Sequence, residues 1–143
     1  MNNAQNTNAP KQNEYLLLFR GSAWWKKLSA EELQESMGQF RAWMDGIKER
    51  GILKGAQPLA REGKLVSGKH GRIVADGPFA ESKEAIGGYF LLQVETIEEA
   101  IAIAQACPSL EHGTQVEVRP VAEECPMAEA ARELAPEGQL ATA

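Results

Sequence analysis

Asp76 opens the segment Asp-Gly-Pro-Phe and is the carboxylate whose neighbours say most about chemistry. An aspartate before Gly-Pro has two uses. Its oxygens can accept backbone amides and cap an Asx-type turn. It can also stand in a cleft as a general base, its pKa raised by burial unless amides or a cation hold the ion. The roles conflict in part, because amides that hold the ion lower its basicity, and both stay open. Further along the same segment, Glu81, Lys83 and Glu84 place two acids and a base close together. They read either as a locally paired solvated surface or as cleft residues. In the second case Lys83 holds an anionic group and Glu81 pairs with a cation such as Arg20. Arg20 ends the first strand and Arg119 sits in the last. Arg119 is expected to pair with Glu117, while Arg20 either pairs likewise or faces a pocket.

Trp24 and Trp25 are adjacent, so in extended chain they cannot point the same way. One is expected to plug the core or an interface, and Trp24 is the candidate for a ligand wall. Phe79 anchors the Gly-Pro loop and is a second candidate lining residue. His112, in a Glu-His-Gly loop, is either a surface turn or an acid–base group. His70 falls in a hairpin turn. Cys107 reads as a small core residue and Cys125 as part of the tail, neither with a cation beside it to make a nucleophile. The chain contains no G-x-S-x-G, C-x-x-C, H-E-x-x-H, Walker or dinucleotide fingerprint. Two cysteines and two histidines supply no metal set of the usual spacing. No cofactor and no metal are expected.

These residues must be positioned by a regular framework. Tyr15 to Arg20 is an apolar run suited to a central strand buried on both faces. Ser29 and Glu32 form a capping box. After it Leu33, Met37, Phe40, Met44 and Ile47 repeat as one apolar helical stripe, stopped at Gly51. Gly38 and Gly46 inside that helix imply either close backbone approach or plain tolerance. Ile52 to Leu59 is a second strand. Leu65-Val66 and Ile73-Val74-Ala75 form a hairpin extension, and a loop runs from Asp76 to Gly88. Tyr89 to Glu95 alternates as a half-buried strand. Thr96 and Glu99 begin a short helix that Pro108 stops, and Gln115 to Val121 is the last strand. Strand–helix–strand, hairpin, strand–helix–strand is two split βαβ units, which predicts an α+β, ferredoxin-like domain with a hairpin insertion. Helices cover one sheet face. A second copy packed sheet on sheet against the other makes a homodimer.

The chain is 143 residues long with net charge −5, one domain in size. Residues 1–13 are expected to be a flexible tail, 14–121 the domain, and 122–143 a second tail with a short helix over 126–135. No basic block suits a nucleic-acid backbone, and no apolar run approaches a membrane span. The amide-rich start lacks the features of a secretory or transit segment, which points to the cytoplasm.

The loop DGPFAESKEAIGGY, from Asp76 to Tyr89, resembles the defining segment of the YCII-related proteins, in particular their DGPF-motif subgroup. The likeness extends to the YLLLFR opening, the Gly51 turn, the GGYFLL strand and the terminal EVRPV strand, and covers about residues 15–121. It implies a dimeric α+β barrel of ferredoxin-like subunits with no general activity established. It also implies a neighbourhood with extracytoplasmic-function sigma factors. The name-giving branch has a His and an Asp in a cleft. Asp76 matches the aspartate, but the helix from Ser29 to Arg50 contains no histidine, and Phe40 or a close neighbour falls at its place. Two functions are therefore expected in competition. One is a non-catalytic homodimer that binds a small-molecule ligand or a regulatory protein such as a sigma factor. The other is a cofactor-free enzyme acting on a small metabolite, with Asp76 as base and Arg20 or Lys83 holding an anion.

Overall fold

The structure, a computed structural model, describes residues 13–77 and 85–135. Strand β1 (Glu14–Arg20) leads through a 3-10 turn (Trp24–Lys27) into helix α1 (Ala30–Glu49) and strand β2 (Leu53–Pro58). A ribbon of β3 (Lys64–Ser67) and β4 (Ile73–Asp76) follows. Strand β5 (Ile86–Gln93), helix α2 (Ile97–Gln105), a 3-10 turn (Pro108–His112) and strand β6 (Gln115–Pro120) complete the second unit. Helix α3 (Pro126–Leu134) closes the described chain. The main sheet has order β2-β5-β1-β6, and every neighbouring pair is antiparallel. Each βαβ unit is thus split by a strand of the other, the ferredoxin-like arrangement.

Local chemistry sets the helix ends. Ser29 Oγ accepts from Glu32 N at 3.1 Å while Glu32 Oε1 accepts from Ser29 N at 2.9 Å, a reciprocal capping box. At α2, Thr96 Oγ1 accepts from Glu99 N, but the Glu99 carboxylate turns one residue further back, to Glu95 N. Gly51 takes φ 77°, a left-handed position that favours glycine. A Cβ at Gly38 or Gly46 would meet nothing within 4 Å, so these helical glycines are tolerated rather than demanded by a neighbour. Gly88 is different. A Cβ there would lie 2.9 Å from the Gln57 carbonyl oxygen, so the close pairing of β5 with β2 requires glycine.

Tyr15 and Leu17 of β1, Phe90 and Leu92 of β5, Ile47 of α1 and Ala100, Ile103 and Ala104 of α2 form one buried cluster. Both helices therefore lie on one face of the sheet. On the opposite face Leu16 pairs with Leu91 and Leu18 with Tyr89, all half-buried. The expectation that β1 is buried on both faces meets alternation instead, because nothing among the described residues covers that second face as the helices cover the first. Strand β2 carries a bulge: Leu53 opposes Leu92 and Gly55 opposes Leu91, which leaves Lys54 as the extra residue. The ribbon forms a separate two-stranded sheet, all eight of its strand residues exposed. None of the described helices is long and apolar enough to cross a membrane.

Candidate functional site

A cavity of about 1060 Å³ lies between α1 and the β2 edge of the sheet. The turn that carries Trp24 and Trp25 lies at one end of it. The helix side follows from how the apolar stripe is divided. Phe40 and Ile47 of the stripe, with Trp43, turn to the sheet. Phe19, Phe40, Trp43 and Phe90 pack there as an aromatic group, centroids 5.0 to 6.1 Å apart. Trp43 Nε1 donates to the Ile103 carbonyl at 3.2 Å, which satisfies its polar edge. Leu33, Met37, Arg41, Met44 and Lys48 form the adjacent row and line the cavity. Met37 is 52% exposed although the stripe placed it with the core.

Trp24 and Trp25 both line the cavity, their rings edge to face with centroids 5.6 Å apart. The Arg61 guanidinium stands 5.2 Å from the Trp25 ring centroid. His112 stacks on Trp24 at 4.3 Å between centroids and 4° between planes, and Ser36 Oγ lies 3.4 Å from its Nε2. Which of the two donates depends on the imidazole tautomer. The histidine of this region thus comes from the turn before β6. It supports the tryptophan wall, while Phe40 of α1 belongs to the aromatic group.

Arg20 lines the cavity and also pairs with Glu117, Nε donating to Oε1 at 2.8 Å and Nη2 lying 2.7 Å from the same oxygen. Arg119 reaches the other Glu117 oxygen at 3.7 Å. Asp76 is elsewhere. It ends β4, its carboxylate pairs with Lys64 across the ribbon, and its side chain is 75% exposed. It does not line the cavity, so the structure does not bring it together with Arg20, Trp24 and His112. Phe79, Glu81 and Lys83 lie outside the described residues. Among the described residues no three His, Cys, Asp or Glu side chains are grouped to hold a metal.

Burial pushes the Cys107 thiol above its ordinary range, partly offset by hydrogen bonds from Ser109 and Leu110. Arg132 holds the Glu124 carboxyl below its ordinary range through paired 2.7 Å bonds. Neither group borders the cavity.

Arg41, Lys48, Lys54 and Arg61 were not singled out from sequence, because isolated surface cations look alike. A signal for two of them was present: Arg41 and Lys48 each stand four residues after a stripe methionine, Met37 and Met44. That spacing places them on the flank of the apolar row.

A split βαβ sheet with two helices on one face and a large cleft at its β2 edge defines an α+β domain of ferredoxin-like class. The chain belongs to the YCII-related domain family, which it matches over residues 24–125. It is 29% identical over 102 residues to an uncharacterised protein of Rhizobium meliloti (strain 1021), across 71% of this chain and 82% of that one. Among solved structures it is similar to the 5-chloro-2-hydroxyhydroquinone dehydrochlorinase of Burkholderia phenoliruptrix, in complex with 2,5-dihydroxybenzoquinone. There the TM-score is 0.46 at 11% identity, covering 78% of this chain and 95% of that one. That likeness is too distant to carry an argument about this chain's chemistry.

Proposed function

We propose that this chain is a homodimeric ligand-binding module whose cavity takes a small molecule. The observation that carries the reading is the cavity itself: about 1060 Å³, walled by tryptophan, phenylalanine and methionine, with cations and a few hydroxyls at its edges. That is the make-up of a small-molecule site, apolar walls with few polar groups to orient the guest. Dimerisation is supported by the sheet face that carries Leu16, Leu18, Tyr89 and Leu91, which has no covering layer among the described residues. The reading gives Asp76 no catalytic task, because its carboxylate sits on Lys64 and away from the cavity.

A thermal-shift screen of small metabolites on wild type, Asp76→Asn and Met37→Glu tests it. A ligand at a hundredfold its Kd adds about 2.7 kcal/mol to the stability of the form that binds it. Hits are expected with wild type and Asp76→Asn and are expected to be lost with Met37→Glu, which sets a carboxylate in the cavity wall. Hits lost with Asp76→Asn and retained with Met37→Glu would overturn the assignment of the cavity. Binding of an extracytoplasmic-function sigma factor with no metabolite hit would move the function to a protein partner.

A further inference from the structure

The charges of the cavity wall are sorted in a way the chain as a whole is not. The protein carries net charge −5. Helix α1 alone holds five carboxylates (Glu31, Glu32, Glu35, Asp45 and Glu49) against two cations, Arg41 and Lys48. Both cations line the cavity and none of the five carboxylates does. Across the cleft the bulge in β2 sets Lys54 in the wall, and Arg61 follows after the strand. No Asp or Glu lines the cavity among the described residues. Arg41, Lys48 and Lys54 stand exposed at its edge, in no salt bridge to a described residue.

We infer that the cavity selects a planar aromatic anion: a one- or two-ring aromatic bearing a carboxylate, its ring against the tryptophan and methionine wall and its charge toward Arg41, Lys48 and Lys54. The inference rests on the cavity being a ligand site and adds the class of ligand. Flat π-faces and polarizable thioethers from Trp24, Trp25, Met37 and Met44 suit a ring. Cations gathered at the mouth of a cleft whose wall, among the described residues, holds no carboxylate raise a positive potential there that draws an anion more strongly than a neutral ring. A carboxylate there gains charge-assisted hydrogen bonds without facing a like charge. Lys48 also lies in the last turn of α1, where a cation complements the helix dipole, so Arg41 and Lys54 are the residues that test the charge selection most directly.

The test compares 2-naphthoate with 2-naphthamide, which match in shape and differ in charge, by calorimetric titration of the full chain at neutral pH. Naphthoate is expected to bind about tenfold more tightly, the order of a charge-assisted contact. The preference is expected to shrink as salt rises. In the Arg41→Gln/Lys54→Gln double variant it is expected to vanish, with naphthamide affinity held within about twofold. Both substitutions are at exposed positions, and circular dichroism confirms the fold. Equal binding of the two probes to wild type, or a preference that survives the double variant, would overturn the charge selection while leaving the cavity a ligand site. No binding of either probe would remove the ligand-site reading and this inference with it.

Discussion

Leu17 in β1 and Val66 in the ribbon are both apolar residues inside a strand, yet Leu17 is 0% exposed and Val66 65%. β1 pairs with β5 on one side and β6 on the other, and two helices close its inner face. Among the described residues β3 pairs only with β4, and no layer lies on either face. Leu65, Val66, Ile73 and Val74 are consequently 54% to 65% exposed, with consecutive apolar residues on opposite faces. A lone two-stranded hairpin is marginal in water. This one is held by its ladder, by the Lys64–Asp76 pair at its base and by a turn in which His70 takes a left-handed φ of 62°. The difference teaches that apolar sequence makes a strand, whereas burial needs a second layer, and the layer is a property of topology.

The sharpest way to test that contrast is to cut both regions. Leu17→Ala is expected to cost about 3–4 kcal/mol in urea unfolding followed by tryptophan fluorescence, because a fully buried leucine leaves a cavity behind. Next in size is the open sheet face. Leu18→Arg with Leu91→Arg is expected to halve the mass seen by light scattering while circular dichroism stays unchanged, since a charge at a buried interface is costly. An unchanged mass would set aside the proposed dimer face. Cysteine labelling probes the same inside–outside contrast: iodoacetamide is expected to modify exposed Cys125 and to spare buried Cys107 until denaturant is added. Only the thiolate reacts, and burial suppresses it.

Val74→Thr in the ribbon is expected to move stability by less than about 0.5 kcal/mol, the usual reach of an exposed substitution. A loss several times larger would mean that another surface covers the ribbon in solution. The smallest effect is expected at Glu124→Gln, beside α3. Its carboxyl is held below the ordinary range by Arg132, so its contribution is present above the unfolded-state pKa and disappears as pH falls through the folded one. The difference in Tm between wild type and variant should therefore close on acidification.

Local signals read well from sequence. The Ser29–Glu32 box, the Gly51 stop and the strand–helix–strand order depend on residues a few positions apart, and the structure has them where the spacing puts them. The ribbon was legible as a hairpin, but its isolation was not, since no local pattern says whether a layer will cover a strand. The candidate site was legible in pieces. Arg20 and Trp24 line the cavity, whereas His112 stands behind Trp24 and Asp76 lies on the ribbon. The apolar stripe of α1 looked like one core surface but also serves the cleft. Only tertiary packing decides that Phe40 and Met44 pack on the core while bordering the cavity and that Met37 faces the cavity without joining the core. The sorting of cations from carboxylates was illegible for the same reason: it depends on which side of α1 meets the β2 edge.

The bulge at Lys54 acts as a parity switch. In an unbroken strand Leu53, Gly55 and Gln57 would share a face. With Lys54 as the extra residue, Leu53 and Ala56 both pack on the core and Gln57 falls outside it. Removing that single residue would leave Leu53 and Ala56 two positions apart in a regular strand, so Ala56 would stay on the core face opposite Phe90 and only the cation of the cleft would be lost. The bulge is thus an insertion that the sheet absorbs: it adds one cation to the edge of the cleft while every later residue of β2 keeps its partner and its face.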